Sequence, residues 1–265
     1  MSTEIPSGIL QLERVDSTNI YARENFETLA DGCIVAAREQ LAGRGRLGRK
    51  WVTPPGSSLT ATAVLKSVAE PFHAGMLVGL AGLYAARKFV PGSFIFFKYP
   101  NDIYVRREKL GGILSEGILK EGRICGVVSG LGLNVNQSRA ELAELDNPAV
   151  SISVLRGEQV SVDMVRDEFA VGLATYYELY KHIPDMVFNL WKSENALIGQ
   201  VLELVLPSGG TVFGRFEDIA DDGSMIVDTE KGKSKFSCGD VKIVPEKIDF
   251  EALENGRTKK IEVTL

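Results

Sequence analysis

Between Phe94 and Val135 the chain runs in short β-favouring segments joined by turns that permit only antiparallel pairing. Phe94-Ile-Phe-Phe-Lys98-Tyr99 stops at Pro100-Asn101-Asp102, and Ile103-Tyr-Val105 resumes before Arg106-Arg-Glu-Lys109 turns. Leu110-Gly-Gly-Ile-Leu-Ser-Glu116 runs back, Lys120-Glu-Gly-Arg123 turns again, and Ile124 to Val135 closes the run. A parallel connection needs a crossover of about a dozen residues, which none of these turns supplies, so the segment predicts an antiparallel meander.

The flanking stretches extend the sheet and cover it. Ile9 to Val15 alternates like a half-buried strand, and Cys33 to Ala37 reads as a buried strand ending in Arg38-Glu39-Gln40. Leu59 to Leu65 alternates Thr and Ala with Leu and Val, which suits another strand. A helix is predicted after Asp16-Ser17-Thr18-Asn19, with Ile20, Ala22, Phe26 and Leu29 on its apolar face. These four polar residues can serve as caps, and their surplus hydroxyls and amide can also bind a polar ligand. Longer helices are predicted over His73–Phe89, with His73 at the surface near its start, and over Met164–Ile183, where Pro184 stops it. Asp185–Trp191 forms a shorter one. The expectation is an α+β chain built on a mixed, largely antiparallel sheet.

After Asn195 short strands follow at Leu197–Val205, Thr211–Asp218, Ser224–Thr229, Lys235–Ser237 and Val241–Val244. Evenly spaced strands with glycine-rich turns predict a small barrel of about fifty residues. Residues 1–194 and 195–246 are therefore read as two domains, and 247–265 as a charged tail without a structural account.

The chemistry is concentrated in Gly43-Arg-Gly-Arg-Leu-Gly-Arg-Lys-Trp51, where three glycines alternate with four cations before an indole. Glycines let backbone N–H groups approach a ligand, and cations packed this closely repel one another unless an anion neutralises them. The G-x-G-x-x-G dinucleotide pattern is present but needs a helix directly after it. Trp51-Val-Thr-Pro-Pro-Gly56 cannot start one. A P-loop fails by one place, with Arg49 and Lys50 where Lys and Ser or Thr should stand. By composition alone an RGG-like, RNA-contacting or simply basic loop also fits. The formal net charge of −5 speaks against a general nucleic-acid binder and for a focused anion site. Lys98, Asp102 and Lys109 fall at strand ends near one sheet edge, and Gly111 and Gly112 leave room for a ligand beside it.

Taken together, the glycine–arginine run, Lys98-Tyr-Pro-Asn-Asp102 and Lys109-Leu-Gly-Gly-Ile-Leu114 resemble the signature of the biotin–protein ligases. Asp16-Ser-Thr-Asn19 and Gly130-Leu-Gly-Leu-Asn134 stand where that family has its remaining ligand contacts. The resemblance spans almost the whole chain and implies a class II synthetase-like catalytic domain followed by an SH3-like barrel. It implies biotin contacts from Ser17, Thr18, Asn19, Gln40, Gly43, Arg44, Gly45, Arg46, Lys109, Gly112, Leu114 and Gly130. It implies ATP contacts from Arg46, Arg49, Lys50, Trp51 and Asn134, with Lys109, Arg46, Lys98 and Asp102 as catalytic groups and no protein-held metal. Tyr99 stands where the family commonly has tryptophan, and Leu47 where some members have arginine.

The implied reaction sets the biotin carboxylate against the α-phosphate of ATP, and the cations offset that repulsion. Mg²⁺ would bridge the phosphates with few protein ligands. The product, biotinyl-5′-AMP, is destroyed by water, so a flexible glycine-rich loop is expected to order over it. A lysine of a biotin carboxyl carrier domain then attacks, with Asp102 orienting or deprotonating its amine.

Three alternatives remain at this point, one of them a biotin-binding protein without catalysis, against which Lys109 and the full cation set argue. A lipoate or octanoate ligase would share the fold and the two-step logic. A biotin-sensing repressor would need a DNA-binding domain, and only Met1 to Val15 precede Asp16. No DNA or membrane partner is expected, a homodimer is possible, and the odd, scattered cysteines suit a reducing cytoplasm. Cys33 and Cys125 are expected to be buried, and Cys238 has no partner by spacing.

Overall fold

The computed structural model describes residues 8–51, 54–206, 210–237 and 242–243. In chain order it contains β1 (Ile9–Val15), α1 (Thr18–Glu24), β2 (Ile34–Gln40), β3 (Ser58–Leu65), α2 (Pro71–Phe89), β4 (Ile95–Lys98) and β5 (Asp102–Val105). Next come β6 (Glu108–Lys120), β7 (Arg123–Asn134), α3 (Arg139–Ala143), α4 (Ile152–Arg156), α5 (Val162–His182) and α6 (Pro184–Ser193). The chain then forms β8 (Val201–Val205), β9 (Thr211–Ile219), β10 (Met225–Thr229), β11 (Gly232–Phe236) and β12 (Lys242–Ile243). Cys238, the tail at 247–265 and the side chain of Leu47 lie outside the described residues.

Seven strands make one sheet in the order β1-β2-β3-β7-β6-β5-β4. The meander β4 to β7 is antiparallel throughout, as the tight turns require. Only β1 and β2 run parallel, joined by the crossover through α1. The fold is α+β with a mixed, mainly antiparallel sheet.

Strand alternation divides the sheet into two unlike faces. Leu59, Ala61, Ala63 and Leu65 of β3 join Val127, Leu131, Leu133 and Ile113 in the main core with α2 and α5. The helix comes close because Gly79 has no side chain: a methyl there would stand 2.4 Å from the Phe97 ring. On the opposite face, Val35, Val64 and Val128 pack with Ala22 and Phe26 in a smaller cluster. That cluster covers only one end of the face, which leaves the rest of it open to function.

The free edge of β4 is closed by the segment leading into the C-terminal strands. Phe97 N donates to Glu194 O at 2.9 Å and Ala196 N to Phe97 O at 3.2 Å. Arg87 holds both carboxylate oxygens of Glu194, at 2.8 and 2.7 Å. The expected barrel is met by a five-stranded antiparallel sheet in the order β11-β10-β9-β8-β12. It docks on the seven-stranded sheet through Tyr99, whose hydroxyl donates to Gly223 O at 2.6 Å and whose ring meets Phe216 at 5.4 Å.

Two sequence-based expectations need correction here, and two short helices were not anticipated. His73 is half-buried rather than a surface residue: its Nδ1 lies 2.7 Å from the Tyr180 hydroxyl and its Nε2 3.1 Å from Asp221 O. Cys33 is buried, but Cys125 is exposed, because the apolar run around it is the outer end of the β6–β7 hairpin. Helices α3 and α4 went unread, since five residues carry too little periodicity. Their signals are local instead: a Ser138–Glu141 capping box, and Ser151 with Gly157 in the left-handed conformation. No helix among the described residues is long and apolar enough to cross a membrane.

Tyr177 ties α5 to the loops beside α1 and β3. Its hydroxyl donates to Asp31 Oδ1 at 2.7 Å and accepts from Ser67 N at 3.1 Å. Burial, more than any neighbour, pushes its pKa up to about 12. The folded state therefore favours the protonated phenol, a contribution complete below about pH 10, where the unfolded tyrosine begins to ionise. Tyr177→Phe should lose about 1–2 kcal/mol of stability at pH 8. The gap in melting temperature should narrow as pH rises from about 10 towards about 12. Identical melting curves at pH 8 would remove the hydroxyl from the stability of this junction.

Candidate active site

The glycine–cation run is a finger closed on itself. Trp51 N donates to Gly43 O at 2.9 Å and Gly45 N to Arg49 O at 2.8 Å. Arg44 pairs with Lys50 in a β-bridge, and Arg46–Gly48 form one 3₁₀ turn at the tip. Gly43 is required by this closure, since a methyl there would meet Trp51 O at 2.4 Å. Arg44, Arg49 and Lys50 are exposed, and none forms an ion pair among the described residues. Arg46 turns inward, with Nη1 donating to Asn101 Oδ1 at 2.8 Å. Asn101 is itself fixed to Ile113, donating from Nδ2 at 2.9 Å and accepting at its carbonyl at 2.8 Å.

Lys109 reaches the same region through a defect in β6. Asp102 pairs with Gly112 and Ile103 with Gly111, but Tyr104 pairs with Lys109, so Leu110 is the extra residue of a bulge. Strict alternation would put Lys109 beside Gly111 and Ile113, against α2. The bulge turns it to the other face, where its Nζ lies 2.7 Å from Asp102 Oδ1. Its backbone is gripped as well: Lys109 N donates to Pro148 O at 2.9 Å, and Lys109 O accepts from Val150 N at 3.0 Å. Lys98, in register with Asp102, shares that face, with its Nζ 5.0 Å from the Tyr104 ring centre.

Glycines form the floor between these groups. Gly112 pairs with Gly132 and Leu114 with Gly130, two neighbouring rungs of β6–β7 on the open face. A methyl on Gly112 would stand 3.0 Å from Lys109 Nζ, one on Gly130 2.3 Å from Asn19 Oδ1, and one on Gly132 2.3 Å from the Trp51 indole. Gly111, expected to leave room for a ligand, faces the other way: a methyl there would strike Gly132 O at 2.7 Å, so its smallness serves strand packing.

A polar pocket stands at the start of α1. Ser17 occupies the N-cap position yet makes no side-chain cap bond, so capping does not account for this cluster. Ser17, Thr18 and Asn19 are buried. Thr18 donates from both N (2.8 Å) and Oγ1 (3.0 Å) to Gln40 Oε1. Thr62 Oγ1 lies 2.8 Å from Thr18 Oγ1 and 2.7 Å from Asn19 Oδ1. Asn134 sits behind Lys109: its Nδ2 donates to Val150 O at 3.1 Å, and its Oδ1 accepts from Gln137 at 3.0 Å.

Of the sequence-derived site residues, Lys109, Asp102, Gly112, Gly130 and the Thr18–Asn19–Gln40 cluster thus lie at one face of the sheet. The finger meets that face through Arg46 and Trp51, while Arg44, Arg49 and Lys50 are exposed. Asn101, Thr62 and Glu116 were missed. Thr62 had a signal in the Thr–Ala alternation of β3, whereas nothing local marks Glu116.

Residues 11–134 match the Biotin/lipoate A/B protein ligase family, and residues 198–244 match the Biotin protein ligase C terminal domain. The Biotin--[acetyl-CoA-carboxylase] ligase of Paracoccus denitrificans is 30% identical over 241 residues, covering 87% of this chain and 98% of that protein. This chain belongs to the biotin protein ligase family. The Bifunctional ligase/repressor BirA of Bacillus spizizenii is 29% identical over 234 residues, 86% of this chain and 72% of the relative. The biotin protein ligase from Aquifex aeolicus in complex with biotin and ATP shares the fold, with TM-score 0.76 at 22% identity over 90% of this chain and 99% of that one. In this ligase the cation finger meets the glycine floor through Trp51 on Gly132, with Lys109 Nζ 5.9 Å from the ring centre.

The contact between Trp51 and Gly132 can be probed directly. Gly132→Ala should displace the indole, shifting its emission to longer wavelength and raising its quenching by acrylamide. Trp191, 1% exposed, should not respond. An unchanged spectrum would mean that Trp51 does not rest on Gly132.

Proposed function

We propose that this chain joins biotin to ATP as biotinyl-5′-AMP and passes the biotinyl group to one lysine of a biotin carboxyl carrier domain in a biotin-dependent carboxylase. The observation supporting this reading is the convergence of Lys109 and Arg46 with the Asn19–Gln40 pocket across a floor of Gly112, Gly130 and Gly132. Ser17, Thr18, Asn19 and Gln40 would receive the ureido ring, with Leu114 and Gly130 beneath it. Gly43, Arg44, Gly45, Arg46 and Lys109 would complete the biotin site. Lys109 would stand between the biotin carboxylate and the α-phosphate, held by Asp102 until the anions arrive. Arg46, Arg49, Lys50 and Trp51 would bind the nucleotide, with Asn134 behind them.

In the first step a carboxylate oxygen attacks the α-phosphorus and pyrophosphate leaves. Fixed positive charge at Lys109, Arg46 and Lys98 offsets the repulsion and stabilises the transferring phosphoryl group. Among the described residues no group of three or more His, Cys, Asp or Glu is placed to hold a metal. Magnesium would enter with the nucleotide as part of the substrate and offset charge on the departing pyrophosphate. In the second step the carrier amine attacks the acyl carbon and AMP leaves, with Asp102 placed to orient that amine. We divide the chain at 194/195 into a catalytic unit and a C-terminal unit, and read β1, at the outer edge of the sheet, as a surface for the carrier or a second copy.

The decisive measurement is biotin-dependent pyrophosphate release from MgATP, followed by label transfer to a carrier domain. Titration with biotin against lipoate separates the lipoate reading. Lys109→Ala should slow adenylate formation by roughly 10²–10³-fold, the scale of removing one preorganised charge partner, with the fold intact. Near-normal pyrophosphate release would exclude Lys109 from the chemistry. Arg44→Gly should shorten the half-life of enzyme-held adenylate and let it leak into solvent. An unchanged half-life would contradict a retaining role for the finger.

A further inference from the structure

We infer that Glu116 and Thr62 are positioning residues that fix the amide polarity of the ureido pocket and so set its preference for a cyclic urea. The inference rests on the proposed biotin site and extends it to two residues outside the ligand contacts.

An asparagine amide fits a given space almost equally well in either orientation, so its neighbours decide which end is which. Asn19 Nδ2 faces Leu114 O at 3.1 Å and Glu116 Oε2 at 2.8 Å. Both are acceptors and neither can donate, so the flipped amide would set oxygen against oxygen and lose a charge-assisted bond. Asn19 Oδ1 is thereby committed to the other side, towards Thr62 Oγ1 at 2.7 Å and the space above Gly130.

Gln40 is fixed by the same logic at one remove. Thr18 gives its amide and hydroxyl hydrogens to Gln40 Oε1, which leaves Gln40 Nε2 as the group presented beside Gly43. Thr18 Oγ1 can then only accept, and Thr62 is 2.8 Å away to donate. Thr62 has one hydrogen for two acceptors. A ligand N–H at Asn19 Oδ1 frees that hydrogen for Thr18, so the network stays satisfied when occupied.

Of its two amides the pocket therefore shows one acceptor, Asn19 Oδ1, and one donor, Gln40 Nε2, beside the Ser17 hydroxyl, which can serve as either. A urea supplies the complement, an N–H and a carbonyl oxygen. A cyclic guanidine has N–H groups in both places and leaves Gln40 without an acceptor.

The test measures KM and kcat for biotin and for its guanidine analogue, iminobiotin. Glu116→Ala should raise the KM for biotin about 10-fold with kcat little changed, and should lower the biotin-to-iminobiotin ratio of kcat/KM by a similar factor. Glu116→Gln should recover most of both, because its amide oxygen still accepts from Asn19. Thr62→Val should act in the same direction and Thr62→Ser should rescue it. Arg23→Ala removes the other partner of Glu116, 3.6 Å away, and should leave the ratio unchanged. An unaltered ratio in Glu116→Ala, or a fall in kcat alone, would overturn the inference. Absence of biotin-dependent turnover in the unsubstituted protein would instead overturn the proposed function.

Discussion

One surplus residue in β6 sets the side of the sheet on which Lys109 works. With Leu110 looped into the bulge, the ammonium group leaves the apolar layer under α2 and meets Asp102 over Gly112. Isolated in the core, that charge would carry a desolvation penalty of several kcal/mol. On the open face it keeps a carboxylate partner and partial contact with solvent. The surrounding structure defends the arrangement: residues 148–150 hydrogen-bond to both sides of the Lys109 backbone, and Asn134 reaches Lys109 O at 3.4 Å and Val150 O at 3.1 Å. Gln137 in turn holds Asn134 and donates to Ser58. The lysine head is partly exposed beside Asp102, while its backbone is held on both sides.

Gly112, Gly130 and Gly132 belong to the same solution. They remove side chains from two adjacent rungs of a central strand pair, at a cost to strand stability of the order of 0.5–1 kcal/mol each. The space created is filled from three directions, by the Lys109–Asp102 pair, by Asn19 and by Trp51. Such a floor on a rigid sheet holds the groups above it more exactly than a loop would, because the strands on both sides fix its height.

Much of this was legible before any coordinates. Alternation placed β1, β2, β3 and the meander, and helical spacing placed α2 and α5, because each has one uniform environment along its length. The glycine–arginine run and Lys109-Leu-Gly-Gly-Ile-Leu114 stood out because each combines charge with glycine in a way no core requires. What escaped depends on long-range pairing. Glu116 meets Asn19 across 97 positions, and Thr62 meets Asn19 across 43, so no local window contains either pair. Cys125 and Gly111 misled for a related reason: an apolar neighbourhood in sequence does not say which face, or which end of a hairpin, a residue will occupy. Asp16–Asn19 left capping and ligand binding open; in the fold Ser17 makes no side-chain cap bond, and Thr18 and Asn19 turn inward onto Gln40 and Thr62.

Trp51 links the finger to the floor. Its indole lies on Gly132, with Lys109 Nζ 5.9 Å from the ring centre, and its Nε1 is buried with no acceptor among the described residues. A buried donor left unpaired costs about 1–3 kcal/mol, whereas the flat contact with a glycine strand returns apolar burial of comparable size. An oxygen acceptor brought to that edge would remove the unfavourable term without disturbing the packing on Gly132. The finger carrying Trp51 also carries Arg44, Arg46, Arg49 and Lys50, whose mutual repulsion the same anionic guest would relieve. Both deficits are local to one nine-residue segment, so a negatively charged, oxygen-rich ligand would relieve both at once.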